Sequence, residues 1–194
     1  IAVLKRDDNA GSLLDALPEN ATAGDVGLLF NRIQWLRRNR DEEAWRLLLS
    51  APSDPDKLLD LENWWIERRM NCRAALNSGQ SRVAYVIAVK HGLTSGDAYV
   101  EAEFLAGWIA LRFLNEPKTA FGHFLAARIK ARSSKAIAFS EYWLGRTRVA
   151  LGDSGSAANN FRVAALYPQY FYGQLARQVF DERPTLALPT EAPT

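Results

Sequence analysis

Apolar residues recur along most of the chain at intervals of three and four, the spacing that places side chains on one face of an α-helix. Breaks at residues 39–41, 52–55 and 77–80 separate the segments that show this spacing. The clearest apolar stripes contain Val26, Leu29, Phe30, Ile33 and Leu36, and then Leu58, Leu61, Trp65 and Cys72. Alternation with a period of two, which would indicate strands, is hard to find anywhere. The pattern therefore predicts an all-α chain.

The predicted helices also repeat. The repeated alanines are Ala44, Ala84, Ala120 and Ala157, separated by 40, 36 and 37 residues. In the last two units a glycine precedes the alanine, at Gly107 and Gly145, and a phenylalanine follows it by four residues, at Phe124 and Phe161. Small residues let two helices approach, and an aromatic side chain fills the space between them. The order resembles the tetratricopeptide (TPR) pattern and predicts a right-handed α-superhelix, a TPR-like helical-repeat solenoid of about four helix pairs.

The two ends of the chain differ from its middle. Residues 1–21 contain a glycine, a proline and mixed polar residues, and they predict an irregular N-terminal segment in which only Leu13, Leu14 and Leu17 hint at a short helix. Residues 22–182 carry the helical period and predict the superhelical domain. Residues 183–194 contain Pro184, Pro189 and Pro193 among small residues, which is typical of a linker or tail.

Composition excludes several classes of protein. Of the 194 residues, 48% are hydrophobic and 24% charged, which is the balance of an ordinary globular chain and not of a disordered one. The net charge of +2 is too balanced to indicate nucleic-acid binding. No uncharged run reaches the roughly 20 residues that a bilayer span needs. Cys72 is the single cysteine, so neither an intrachain disulfide nor a multi-cysteine zinc site can form, and no cofactor or metal is predicted.

Few side chains suggest catalysis. The two histidines, His91 and His123, have no convincing nucleophile and carboxylate around them in sequence, so we interpret His91 as a cation at a helix C-terminus and His123 as a packed side chain. Glu101 and Glu103 are two residues apart and so do not share a helix face. Cys72 is expected to be a small buried side chain. No catalytic residue is predicted, and an enzyme active by itself is the least favoured reading.

A basic group suggests a binding role. Arg68, Arg69 and Arg73 could form charge-assisted hydrogen bonds with carboxylates, and Trp64 beside them could stack on a sugar ring. Interspersed glutamates favour the alternative that these arginines, like those at 37–40, form ion pairs on a solvated face. Aromatic residues also serve as packing groups between helices. Because adjacent residues point about 100° apart on a helix, we expect the pairs at 64–65 and 142–143 each to place one ring in the core and one at a surface.

Four stretches of sequence resemble a known family. They are EFLAGWIALRFL at 103–114, AFGHF at 120–124, YWLGR at 142–146 and FYGQLA at 171–176. In order and spacing they resemble the superhelical region that precedes the catalytic domain in bacterial soluble lytic transglycosylases. These periplasmic enzymes cleave the β-1,4 bond between MurNAc and GlcNAc in peptidoglycan and leave 1,6-anhydro ends. The likeness covers about half of the chain and weakens towards Trp64.

The resemblance also implies what this segment lacks. In the family, catalysis depends on a glutamate directly followed by serine, within a lysozyme-like domain that would come after Ala176. No glutamate here is followed by serine, and only eighteen residues follow Ala176. We therefore expect a non-catalytic scaffold segment of a periplasmic enzyme, separated from its signal peptide and its catalytic domain. Its expected partners are that domain and, weakly, peptidoglycan glycan strands.

The last family-like stretch predicts a joint. From Pro168 onward, Phe171, Leu175 and Val179 share one helix face, and we expect this face to pack back onto the preceding helices. Tyr172, Gly173 and Gln174 would then form the interface with the catalytic domain. The alternative function is a stand-alone helical-repeat adaptor that binds another protein. The sequence beyond residue 194 would distinguish the two.

Overall fold

The computed structural model describes residues 7–18, 21–58 and 60–180. Within these ranges the chain forms eleven α-helices and one short 3-10 turn, Pro55–Lys57, and no strand. The helices are α1 (Ala10–Asp15), α2 (Ala21–Gly24), α3 (Val26–Arg38), α4 (Glu43–Ser50), α5 (Leu61–Asn77), α6 (Ser81–Val89), α7 (Gly96–Arg112), α8 (Pro117–Lys130), α9 (Ser134–Ala150), α10 (Ser154–Ala165) and α11 (Phe171–Val179). The prediction of an all-α chain is confirmed, and the predicted tail at 183–194 lies outside the described residues.

Short polar side chains set where several helices begin. Asp25, Asp60 and Asp153 each accept a hydrogen bond from the backbone N–H three residues later, at 2.9, 3.0 and 3.1 Å. These bonds satisfy N–H groups that have no partner within the first turn of a helix. Gly152, with a φ of 82°, ends α9 in the left-handed conformation that favours glycine. The polar breaks in the sequence are therefore helix boundaries.

The helices pack in the order of the chain. Each helix from α2 to α11 contacts the next, and alternate helices also touch: α5 lies against α7, α7 against α9 and α9 against α11. Among the described residues no helix is both long and apolar enough to cross a membrane. The side-by-side arrangement of α5, α7, α9 and α11 is what creates the candidate site described below.

The repeated small residues are buried where helices pack against one another. All four repeat alanines are buried. In the third and fourth units a ring of one helix packs on a glycine of the preceding helix, Phe124 on Gly107 and Phe161 on Gly145. A Cβ atom added at Gly145 would lie 2.7 Å from Cε1 of Phe161, too close for an unaltered packing. The proposed physical role of the glycine and phenylalanine positions is confirmed at both sites.

Two apolar cores share helix α7. The first core joins α3 to α7 and includes Ile33, Leu48 and Ile109. The second joins α7 to α11 and includes Phe124 and Phe161. The side chains of Tyr85 and Trp108 pack against both cores. Burial of such side chains is the main favourable contribution to folding.

The N-terminal segment is more regular than the sequence predicted. Within residues 7–18 the helix α1 forms, and its buried Leu14 packs near Trp35 of α3. Gly11 lies directly against the ring of Trp35, so this short helix approaches α3 closely. Leu13 and Leu14, two of the three leucines that hinted at a short helix, lie in α1.

Candidate functional site

Alternate helices α5, α7, α9 and α11 line an open groove of about 650 Å³. This volume is within the range of ligand-binding clefts. The residues that line the groove are Glu62, Trp65, Ile66, Arg69, Asp97, Ala98, Val100, Glu101, Phe104, Ser133, Lys135, Ala136, Phe139 and Tyr172. The lining thus combines four aromatic side chains with charged residues of both signs.

A cluster of hydrogen bonds joins α5 to α7 at the groove. The indole N–H of Trp65 donates to Oε2 of Glu101 at 3.0 Å, and Nη1 of Arg69 donates to Oε1 of the same carboxylate at 2.6 Å. Trp65 itself is buried, so its ring forms part of the floor. Glu101 therefore links the two helices and positions the one arginine that faces the groove.

The far wall of the groove is aromatic. The Phe104 ring of α7 lies 4.9 Å from that of Phe139 and 6.4 Å from that of Tyr172, measured between centroids. Phe139 and Tyr172 are themselves 6.4 Å apart, and all three contacts are edge-to-face. Aromatic pairs in this arrangement stabilise packing beyond the area that they bury. Three helices are thereby joined along one side of the groove.

Charged side chains at the rim have no partner within the described part of the chain. Glu62 and Asp97 are exposed in the first turns of α5 and α7, and Lys135 is exposed at the start of α9. None of the three forms a hydrogen bond or an ion pair with another described residue. The rim therefore presents two carboxylates on one side and one ammonium group on the other.

A second polar cluster lies on the other side of α7. Glu103 accepts hydrogen bonds from both histidines, with Oε2 at 2.6 Å from Nδ1 of His123 and Oε1 at 3.3 Å from Nε2 of His91. The other nitrogen of His123 lies 2.9 Å from the hydroxyl of Tyr85. Glu101 and Glu103 do point to different sides of α7, as expected. Neither Glu103, His123 nor Tyr85 lines the groove.

The geometry determines the tautomer of His91. Its Nδ1 accepts the backbone N–H of Leu93 at 2.9 Å, so in the neutral ring Nε2 carries the hydrogen and donates it to Glu103. Burial raises the pKa of Glu103, but the hydrogen bonds from His123 and His91 outweigh burial and lower that pKa to about 2. The cluster is therefore an ionised carboxylate that joins α7 to α8 and to the segment between α6 and α7.

Sequence reasoning did not find this histidine cluster. His91 and His123 are 12 and 20 residues from Glu103, so no helical spacing relates them. They meet only because α6, α7 and α8 pack together. The interpretation of His91 as a C-terminal helix cation missed its role as a donor to Glu103, whereas His123 is a packed side chain as expected.

Two of the predicted glycan-contact residues are enclosed. Arg68 has 0% exposure and donates to the carbonyl oxygens of Leu48 and Pro52, at 3.3 and 2.7 Å. Burial lowers the pKa of Arg68 to about 10. Trp64 is 3% exposed, beneath the Arg68 guanidinium group, which lies 5.6 Å from its ring centroid. Arg68 therefore packs against the end of α4 and Trp64 packs edge-to-face on Phe30 of α3, so their contact with a ligand stays a prediction that this burial does not favour.

The other two predicted contact residues are accessible. Arg69 lines the groove and is held by Glu101, and Arg73 is exposed on the next turn of α5. Arg37 does form an ion pair with Glu67, but Glu67 is buried, so this pair does not lie on the solvated face that the alternative expected. The helix α5 thus divides its arginines between the core and the surface.

Both aromatic pairs are buried throughout. Trp64 and Trp65 are enclosed, and so are Tyr142 and Trp143. The expectation that each pair would place one ring at a surface is wrong. The helices α5 and α9 are contacted by helices on several sides, so adjacent positions on them can both be enclosed.

The structure also changes the orientation expected for α11. Phe171 and Val179 are 65% and 50% exposed, although they were expected to pack inward. Tyr172 is half-buried, and its ring centroid lies 5.4 Å from that of Tyr142. Gly173 is buried, and a Cβ atom added to it would collide with the carbonyl oxygen of Tyr167. Gln174 is exposed and donates to the Pro168 carbonyl oxygen at 3.1 Å. Leu175 does pack against the second core as expected, and the other packed residues of this helix are Tyr172, Gly173 and Ala176.

Comparisons with protein-family models, with curated proteins and with solved structures gave no significant match. No group of three or more histidine, cysteine or carboxylate side chains among the described residues could hold a metal ion. The assignment of a function therefore depends on the sequence stretches and on the groove.

Proposed function

We propose that this chain is the non-catalytic α-superhelical scaffold segment of a periplasmic lytic transglycosylase that acts on peptidoglycan. One observation carries the proposal. The four family-like stretches, which are far apart in sequence, meet around the ring of Phe104. Its centroid lies 6.0 Å from that of Phe124, 6.1 Å from Trp143 and 6.4 Å from Tyr172. Each stretch contributes one of these rings, so the family-like residues form one packing unit.

The superhelical, TPR-like arrangement is part of this proposal. Contacts between successive helices, together with contacts between alternate helices from α5 to α11, are what a stack of helix pairs requires. The equivalent packing of Phe124 on Gly107 and of Phe161 on Gly145 supports two consecutive units of the same design. In such a stack each pair covers the apolar face of its neighbour.

The chemistry of the parent enzyme would come from a lysozyme-like domain elsewhere on the polypeptide. In the proposed enzyme, a glutamate of that domain protonates the glycosidic oxygen and then acts as base while the hydroxyl of the sugar attacks, which gives the 1,6-anhydro product. This chain would hold that domain and help to position glycan strands, with Arg69 and Arg73 as weak electrostatic contacts.

The exposed face of α11 is the surface that we propose for the catalytic domain. Phe171, Gln174 and Val179 are exposed there, and Leu166 in the preceding turn is 72% exposed. Exposed apolar side chains in a group commonly mark an interface. Of the residues predicted for this joint, Gln174 remains a contact residue, whereas Tyr172 and Gly173 would hold α11 in position.

The decisive experiment is to sequence the gene beyond the codon for Thr194. A lysozyme-like domain with a glutamate followed by serine is expected there. The complete polypeptide should then clear a murein-impregnated gel, and its Glu→Gln variant should not. A stop codon directly after residue 194 would contradict the scaffold assignment.

The groove favours a second candidate, a stand-alone helical-repeat adaptor. A cleft of about 650 Å³ with an apolar wall and unpaired charges at its rim is suited to bind part of another protein. The same gene sequence tests it, because an adaptor requires no catalytic domain after residue 194.

A further inference from the structure

The rim carboxylates of the groove have no part in the proposed scaffold function. Glu62 and Asp97 both line the groove, on the alternate helices α5 and α7 that contact each other, and both are exposed. A carboxylate in the first turn of a helix interacts favourably with the helix dipole, which accounts for each residue separately. It does not account for why both carboxylates lie over a cleft whose floor and wall are aromatic.

The charge of the groove is complementary to a cation. Arg69 is engaged by Glu101, so these two charges offset each other. Glu62, Asp97 and Lys135 remain, with a net charge of −1 and with the two carboxylates on the side formed by α5 and α7. A basic side chain placed there would form charge-assisted hydrogen bonds, which are stronger than neutral ones.

The shape and chemistry of the lining favour a peptide over a sugar chain. The large ring best suited to stack on a pyranose, Trp65, is buried, and its N–H already donates to Glu101. Among the described residues that line the groove, Ser133 is the only one with an aliphatic hydroxyl. The accessible surfaces are instead the side chains of Ile66, Phe139 and Tyr172, which suit small apolar side chains.

We propose that this groove binds an extended peptide that carries one basic side chain between small apolar residues. The basic group lies between Glu62 and Asp97, the apolar residues contact Phe139 and Tyr172, and Lys135 faces a carbonyl oxygen of the peptide. The proposal goes beyond the scaffold function and does not depend on whether a catalytic domain follows. The peptide is a segment of a partner protein, so the inference specifies what the adaptor candidate would bind.

Fluorescence anisotropy with two labelled peptides tests the proposal. The probes are Gly-Ala-Ala-Leu-Lys-Ala-Ala-Gly and the same peptide with glutamate in place of lysine. Loss of one charged hydrogen bond costs about tenfold in affinity, so the lysine peptide should bind the chain at least tenfold more tightly at low salt. In the double variant Glu62→Gln and Asp97→Asn, Lys135 is the unpaired charge that remains at the rim, so the preference for the lysine peptide should be lost or reversed, and a retained preference would contradict the proposal.

A matched control separates the groove from overall charge. The double variant Glu42→Gln and Asp56→Asn changes net charge by the same amount at exposed sites outside the groove lining, and it should keep the tenfold preference. Lys135→Glu adds a carboxylate to the rim and should increase the preference. Far-UV circular dichroism verifies that each variant is folded.

Several outcomes would overturn the inference. These are equal binding of the two peptides by the unaltered chain, loss of the preference in the control variant, and no change of preference in Lys135→Glu. Displacement of the lysine peptide by chitotetraose would assign the groove to glycan instead. The murein-gel assay is unaffected by any of these results, so the scaffold function is judged separately.

Discussion

The carboxylate of Glu103 makes a prediction that can be worked out from the structure. Its pKa is lowered from an ordinary 4.5 to about 2, chiefly because the hydrogen bonds from the two histidines outweigh burial. A carboxyl group whose pKa is lower in the folded state stabilises that state above its unfolded pKa, and the stabilisation is lost as pH falls towards the folded pKa. A difference of this size corresponds to about 3 kcal/mol of unfolding free energy.

The substitution Glu103→Gln tests this contribution to the free energy of unfolding. The amide retains the shape but carries no charge, and its NH₂ group faces an N–H donor of His91 or His123 in either orientation. We expect the free energy of unfolding at pH 7 to fall by about 3 kcal/mol in urea titrations followed by far-UV circular dichroism. Between pH 4.5 and pH 2 the stability of the unaltered chain should fall more steeply than that of the variant, so that their difference closes.

Glu101→Gln is the matched control, two residues away on the same helix. The side chain of Glu101 is 41% exposed, and partly exposed ion pairs contribute little, so this variant should lose at most about 1 kcal/mol. Equal losses for the two variants at pH 7 would refute the reasoning. A stability difference for Glu103→Gln that persists at pH 2 would also refute it, because the effect would then not arise from the ionised carboxylate.

Three further predictions concern packing and binding. Gly145→Ala should lower the free energy of unfolding by about 1–3 kcal/mol in urea titrations, because the new methyl group meets Phe161, and adding Phe161→Leu should recover part of the loss. Arg68→Ala should lower the free energy of unfolding by about 2–4 kcal/mol in the same titrations, because Arg68 is buried. Arg73→Ala, at an exposed site, should change it by no more than about 0.5 kcal/mol. Equal losses for the two variants would contradict the placement of these arginines. The 194-residue chain should not clear a murein-impregnated gel. Its capture by insoluble peptidoglycan should weaken as the salt concentration rises, and also when Arg69 and Arg73 are replaced by alanine. Capture that does not change with salt would contradict an electrostatic contact.

The sequence predicted the features that depend on local spacing. Apolar periodicity located the helices, because one turn of a helix relates residues three and four apart. The repeat alanines are all buried, and the pairing of Gly145 with Phe161 followed from the order of small and aromatic residues. These are properties of neighbouring residues or of adjacent helices.

The sequence did not predict features that depend on how helices rotate against one another. Arg68 and Arg69 are adjacent and chemically identical, yet one is enclosed under α4 and the other faces the groove. Similarly, Phe171 is exposed and Tyr172 packs inward, because the close approach of Gly173 to the preceding turn sets the rotation of α11. The meeting of His91 and His123 at Glu103 has the same origin.

The sharing of α7 between the two apolar cores has a mechanical consequence. Ile109 belongs to the first core and Ala110, the next residue, to the second, so tension that separates one core disturbs the support of the other. A stack of helices joined only at consecutive surfaces would lengthen stepwise under load, one pair at a time. Because α7 contributes to both cores, we expect α3 to α11 to unfold together, so that stretching in an optical trap gives one dominant rupture instead of a series of steps.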